Sequence, residues 1–563
     1  MQENENNNII ETTPAKKEIL MPLLLALALA IGLAVGFKMK NETLISFAPR
    51  HQDNKMSNEE IVGQGRIEEI LRYIDAKYVD AIDNNVLVDK SINNILQELD
   101  PHSVFIPTEK AKEINEDLEG EYEGVGLETI LLNDTFTIIS PLLDSPAATV
   151  GLMSGDKILS VNDSNAIGKD LRWLNKVLHG ERGTEVSMKI LRGSGEKPKS
   201  YTLTRERVAI HSVEVATMLD NQTGYIRISR FSNNTTKEFN IGLEKLYENK
   251  NMQDLVIDLR QNSGGYLDKA VDVLSQIFKD RDKLLVYTKG RTVHRNEYKT
   301  SGRARHEIGK IAILIDEGSA SASEIVAGAI QDWDRGLIVG RKSFGKGLVQ
   351  EPYMLKDGSE LRLTVARYYT PSGRSIQRPY KGKTKKQYQD EEDKRLKMSE
   401  LGMEESDIQS DTSRFFTAGG RVVLGGGGVK PDYFVPMDGI IYNDYYQNLK
   451  QWIPDYAYIY YTQFRKDLKF KTWQEYQTNF KISDFAFNDF IKYTERKGLK
   501  KQSDELSTIK EGMRKLLKAR VARLMYGEEG YYGILNDNDP VIYKALEVLK
   551  QKDPLGLRRL ARK

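Results

Sequence analysis

Cysteine is absent from the 563 residues. That excludes disulfides, thiolate nucleophiles and cysteine-ligated zinc or iron–sulfur sites. It also excludes the cysteine acceptor of a bacterial lipoprotein anchor. Charge of one sign is missing too. Lys and Arg number 83 against 81 Asp and Glu, so no global field draws the chain onto nucleic acid. Histidine is scarce, and the six (His51, His102, His179, His211, His294, His306) are scattered. No H-E-x-x-H zinc helix and no G-x-S-x-G elbow is present. No metal or cofactor is expected, and His102 and His211 are expected to be structural.

One long apolar run is present. Ile19–Phe37 holds 19 uncharged residues, about 28 Å as a helix at roughly 1.5 Å per residue. Lys16 and Lys17 precede it, favouring an N-terminus inside, although Lys38 and Lys40 follow. The run is long for the apolar part of a signal peptide and no clean small-x-small cut follows, so it reads as an uncleaved single-pass anchor rather than a signal peptide. Residues 1–18 are Asn-rich and polar, and 38–57 read as a linker. Over 58–119 apolar residues recur at helical spacing (Ile61, Ile67, Ile70, Leu71, Ile74) until Asp100-Pro101 stops the pattern.

Residues 120–207 change to short alternating strands with Gly, Asn and Asp turns. Gly124-Val125-Gly126-Leu127, Ser145-Pro146-Ala147-Ala148 and Gly155-Asp156-Lys157-Ile158 through Asn162 give this block a resemblance to a PDZ domain. Such domains hold a free chain end by β-augmentation, the loop N–H groups taking the terminal carboxylate. Gly124, Val125, Gly126 and Leu127 are therefore the candidate tail-binding residues.

From 208 to 380 strand-like runs alternate with helical ones, which argues for an α/β layer with functional loops at strand ends. Residues 381–410 are half charged and read as a solvated excursion or mobile helix. The run 411–436, with Gly425 to Asp432, reads as a return to the core, and 437–563 as a helical region without identifiable chemistry.

Within the α/β segment, Ile311–Ile315 breaks into Gly318-Ser319-Ala320-Ser321-Ala322-Ser323-Glu324 and then a helical run. A serine there offers its hydroxyl at the end of a buried strand beside free helix N–H groups. Lys346 follows Ser321 by 25 residues among Phe344, Gly345, Gly347, Leu348 and Val349. Apolar surroundings lower a lysine pKa, and a neutral lysine can act as a base. Gln350, four residues on, points to the same side of an extended segment and can hold the amine. The oxyanion donors expected are the N–H of Ala322 and the turn Gly264-Gly265.

Two decoys fail. Gly340 to Lys346 matches G-x-x-x-x-G-K, but Gly347 stands where Ser or Thr is needed, and a strand-like run follows. Ser507-Thr508-Ile509-Lys510 matches S-x-x-K without S-D-N or K-T-G partners.

Taken together, Leu99-Asp100-Pro101-His102-Ser103, the PDZ-like block, Gln261 to Gly265, Gly318 to Glu324, Gln331-Asp332 and Ser343 to Gln350 resemble the carboxyl-terminal processing peptidases over about residues 60–436. The resemblance implies an α/β serine protease core of the ClpP/crotonase type at 208–380 and 411–436. It implies Ser321 as nucleophile rather than Ser319 or Ser323, Lys346 as base and Gln350 as its orienting partner. Asp332 matches a further position of the family sometimes implicated in activity, and is expected here to be structural support. The expected architecture is multidomain, α/β plus β: an N-terminal helical segment, a PDZ-like β domain, the protease core and a helical C-terminal region. The expected activity is a Ser–Lys endopeptidase in a bacterial inner membrane, acting in the periplasm on proteins with free apolar C-termini. The regions outside the motifs leave room for an adaptor protein and self-association. The alternative is an inactive PDZ scaffold of the cell envelope.

Overall fold

The computed structural model describes residues 65–193, 197–400, 413–437 and 444–557. The anchor expected at Ile19–Phe37 lies outside them. Among the described residues no helix is long and apolar enough to cross a membrane. The chain divides into a unit ending at Val88 and a second from Asp89 to Lys563. The described part of the first holds the helix Arg66–Lys77, which buries none of its residues, and leads into the helix Asn84–Gln97.

The second unit starts at Asp89 within the helix Asn84–Gln97 and continues with the strand Val104–Ile106 and the helix Thr108–Glu119, then the block resembling a PDZ domain. Its sheet runs in the order Leu127–Leu132, Thr135–Pro141, Lys157–Val161, Glu185–Leu191, Lys199–Thr204. Alternation of apolar and polar residues puts Val186, Met188 and Ile190 into the core with Phe136 and Ile158. The helix Leu171–Leu178 starts at Asp170, whose carboxylate accepts the Trp173 N–H at 2.8 Å. Among the described residues Leu127–Leu132 pairs only with Thr135–Pro141, which leaves its other edge without a neighbouring strand there.

The central sheet has the order Val213–Met218, Thr223–Ile228, Asp254–Asp258, Ile311–Ile315, Leu337–Gly340, Tyr433–Phe434, parallel after its first pair. Ile311–Ile315 is buried on both faces, as its unbroken apolar sequence requires of a central parallel strand. Three neighbouring strands end on the same side, and their loops (261–265, 316–321 and 341–347) therefore converge. A second sheet pairs Leu348–Met354 with Glu360–Tyr369, opposing Gln350 to Thr364.

Of the charged run 381–410, expected as a solvated excursion or mobile helix, residues 385–400 form a helix that buries Tyr388 (4% exposed) and Ser399, so it is docked rather than solvated, and 401–410 lie outside the described residues. The C-terminal region is helical from Asp444 to Leu549, with a break at Gly527 (φ 65°, ψ −155°) inside Ser503–Asn536. Tyr458 packs on Ile130 and Ile139, and Arg523 bonds Glu128, both contacts reaching the PDZ-like sheet. The helix Pro540–Leu549 packs Val541, Ile542 and Ala545 under the central sheet. Its cap Asp539 pairs with Arg260 at 2.8 Å. Arg260 and Arg227 flank Asp258, which burial alone would shift up but which the two guanidinium groups hold well below the usual carboxylate range.

Candidate active site

Ser321 closes the turn after Ile311–Ile315 and precedes the helix Ala322–Asp332. Its φ of 53° lies in the left-handed region, a strained conformation for a residue with a side chain. The three serines of the turn have different fates. Ser319 and Ser323 are fully buried, their hydroxyls bound to the carbonyls of Leu259 (2.8 Å) and Asn262 (2.9 Å). Ser321 is only half-buried and lines a cleft shared with Lys346, Gln350, Gly264 and Gly265.

Lys346 Nζ donates to Gln350 Oε1 at 2.8 Å, and Gln350 Nε2 donates to the carbonyl of His102 at 2.6 Å. Burial, reinforced by the Arg362 charge and opposed by Glu324 and Asp100, lowers the pKa of Lys346. No hydrogen bond between Lys346 Nζ and Ser321 Oγ is present among the described residues, and catalytic hydrogen bonds are often long before substrate binds.

Two further residues frame the pair. Glu324 is fully buried, and one of its oxygens accepts the N–H groups of both Ser321 and Lys346 at 2.9 Å each. The other oxygen accepts Ser343 Oγ at 2.5 Å and the Gly345 N–H at 2.7 Å. Burial raises the Glu324 pKa, and these four donors oppose the shift. The Tyr368 hydroxyl lies 2.7 Å from the Lys346 carbonyl and 3.0 Å from that of Ser321. Sequence reasoning did not find Tyr368 or the function of the Glu324 carboxylate. Glu324 sits in the serine-rich motif, but its partners lie about twenty residues away in another loop.

The glycine turn supplies close approach. A Cβ on Gly264 would stand 2.7 Å from Ser321 Cβ and 3.0 Å from the Ala322 nitrogen, and its φ is +105°. The Gly264 N–H is already donated to Asn262 Oδ1 at 2.9 Å. The N–H groups of Gly265 and Ala322 take no protein partner among the described residues.

His102, expected to be structural, orients Gln350 through its carbonyl, while Asp100 accepts the His102 and Ser103 N–H groups at 2.8 and 2.7 Å. His211 pairs with Glu238 away from the cleft. Asp332 pairs with Arg374 at 2.8 Å in the interior. The glycine-lysine decoy runs into the strand Leu348–Met354, and Ser507 lies on a helix where Lys510 pairs with Asp484.

In the PDZ-like block, Val125 is buried and its carbonyl accepts the Ala147 N–H at 2.9 Å. The Gly126 carbonyl accepts the Leu142 N–H at 2.9 Å. Gly126 has φ +73°, and a Cβ there would meet Ser145 Cβ at 2.2 Å. The ring of Tyr122 lies against Gly124 and stacks on His179 at 4.6 Å.

Comparison with known proteins shows what the chain is similar to. Residues 222–385 match the model of peptidase family S41, 124–203 that of a PDZ domain, and 445–527 that of a family of unknown function. The carboxy-terminal-processing protease of Bartonella bacilliformis is 35% identical over 318 residues, 55% of this chain and 72% of that protein. The carboxy-terminal processing protease CtpB of Bacillus subtilis is 34% identical over 314 residues, 55% of this chain and 65% of that protein. Among solved structures, a photosystem II D1 C-terminal processing protease is 28% identical over 57% of this chain and 91% of that one, with a TM-score of 0.33.

Proposed function

The chain belongs to peptidase family S41, as a carboxy-terminal processing serine protease with a PDZ domain, and we propose that it cleaves by a Ser321–Lys346 dyad after capturing a substrate tail. The observation that carries this reading is the desolvated Lys346 amine, held by Gln350 and facing the same cleft as Ser321.

The open edge of Leu127–Leu132 receives the tail as an added strand, and the loop Gly124 to Leu127 takes its carboxylate. Tethering raises the effective concentration of upstream bonds at the cleft. Neutral Lys346 takes the Ser321 hydroxyl proton as Oγ bonds to the scissile carbonyl carbon. The N–H groups of Ala322 and Gly265, which take no protein partner among the described residues, stabilise the oxyanion. The lysine ammonium returns its proton to the amine as the C–N bond breaks, leaving an acyl-enzyme. Water, deprotonated by the same lysine, then bonds to the acyl carbon, and the lysine ammonium returns that proton to Ser321 Oγ as the C–Oγ bond breaks. Ile19–Phe37 anchors the chain in a membrane with this machinery exported, a reading supported by its length and by Lys16 and Lys17.

The test compares the full-length protein in detergent with Ser321→Ala and Lys346→Ala variants. The substrate is an unfolded protein with an apolar C-terminus, presented free or amidated. Cleavage by the wild type alone, weakened by amidation, is the expected result. Cleavage by either variant at the wild-type rate overturns the dyad, and indifference to amidation overturns tail capture.

A further inference from the structure

The helix Lys385–Glu400 starts where the peptidase family match ends, yet it grips the loop that carries the lysine. Its inner stripe is Tyr388, Glu392, Arg395 and Ser399, spaced by four, three and four residues. That stripe is polar, so apolar burial is not what holds the helix down. Arg395, with its side chain 9% exposed, donates to the carbonyls of Phe344 at 3.1 Å and Ser343 at 2.9 Å. Those carbonyls lie two and three residues before Lys346.

Glu392 pairs with Arg395 at 3.2 Å and also with Arg378, whose own N–H donates to the Gly345 carbonyl at 2.9 Å. The Arg378 guanidinium lies over the Tyr388 ring at 3.8 Å and the Phe344 ring at 5.1 Å. The Tyr388 hydroxyl meets His102 Nε2 at 3.3 Å, and the carbonyl of that same His102 holds Gln350. One helix thus contacts both the loop before the lysine and the residue that fixes its amide partner.

We propose that Arg395 is a positioning residue for catalysis, and that the helix 385–400 is a strap setting Lys346 against Ser321. The proposal rests on the dyad reading above. A guanidinium spanning two consecutive carbonyls fixes the loop in orientation as well as position, which a single donor cannot do. A loosened loop moves the amine out of line and admits water to it, and a misplacement of about 1 Å costs on the order of a hundredfold in rate.

The experiment uses full-length protein carrying Arg395→Ala, Arg395→Lys or Tyr388→Phe, with thermal melting to confirm the folded fraction. Arg395→Ala is expected to lower kcat about ten- to a hundredfold with KM unchanged. The acid limb of kcat/KM should move to higher pH as water reaches the amine. Arg395→Lys should recover part of the loss, and millimolar guanidinium should partly rescue Arg395→Ala. Wild-type kcat and an unmoved acid limb in Arg395→Ala overturn the strap, as does a loss that only follows the folded fraction. Should Arg395→Ala fail to fold, an unmoved acid limb in both other variants overturns it. Activity persisting in Lys346→Ala would instead overturn the dyad reading, so the two failures are distinguishable.

Discussion

Glu324 and Tyr368 divide the backbone of Ser321 and Lys346 between them. One carboxylate oxygen of Glu324 accepts both N–H groups, and the Tyr368 hydroxyl reaches both carbonyls. Two residues 25 positions apart in sequence are thereby bridged on both sides of their peptide groups. The bridge resists relative motion more than either contact alone, because slippage breaks hydrogen bonds in a water-poor interior.

Replacing Glu324 by Gln puts an NH₂ where donors already converge. Each disrupted charge-assisted bond costs about 1.5–3 kcal/mol, so kcat should fall by two orders of magnitude or more with a lower Tm. Tyr368→Phe removes one neutral hydrogen bond of about 1 kcal/mol. It should lower kcat several-fold and leave KM unchanged. Steady-state kinetics on tailed and amidated substrates checks both.

In the proposed dyad Lys346 acts as a neutral amine, and burial shifts its pKa down. Activity should therefore rise with pH through a single limb below the ordinary lysine value. The same shift carries a stability cost. The unfolded chain binds a proton there that the folded chain does not favour, so stability rises with pH. Lys346→Met should abolish turnover and raise the Tm at neutral pH. A lower Tm in a folded, inactive Lys346→Met would show that the amine is not under desolvation stress.

Gln350 presents its oxygen to Lys346 and its nitrogen to the His102 carbonyl. Gln350→Glu places a negative charge against the amine and raises its pKa. The acid limb of kcat/KM should move to higher pH, with activity lost at neutral pH and partly recovered in alkaline buffer. Gln350→Ala should lose activity across the whole range without that recovery.

His102 is pushed down to about 4 from an ordinary 6.5, first by burial and then by the nearby Lys346 charge. Between those two pH values the unfolded chain carries a proton that the folded chain refuses. Stability should fall as pH drops across that window, by up to about 3 kcal/mol in total, and lose nothing further from this group below it. Chemical denaturation at stepped pH should show that slope in the wild type and a flatter one in His102→Asn, whose backbone can still hold Gln350.

Much of the architecture was written locally. The apolar run Ile311–Ile315 and the glycine turn at 264–265 each state their geometry within a few residues. The period-two alternation of Glu185–Leu191 does the same. Strand periodicity, turn chemistry and the small residues beside a strand end are short-range physics, so a serine-rich turn followed by Lys346 and Gln350 stands out in the residues. The choice of Ser321 over Ser319 and Ser323, by contrast, is what the family resemblance implies. Which serine faces the cleft depended on where Ser319 and Ser323 find the carbonyls of Leu259 and Asn262, some sixty residues away. The hold of His102 on Gln350 spans 248 residues. The charged run at 385–400 reads alike whether it is solvated or docked, because a polar stripe carries no hydrophobic signal. Local pattern determined the elements and singled out the candidate site residues. Only tertiary folding decided which hydroxyl is left unspent and what holds the lysine, since a buried polar group is defined by its partners and partners come from anywhere in the chain.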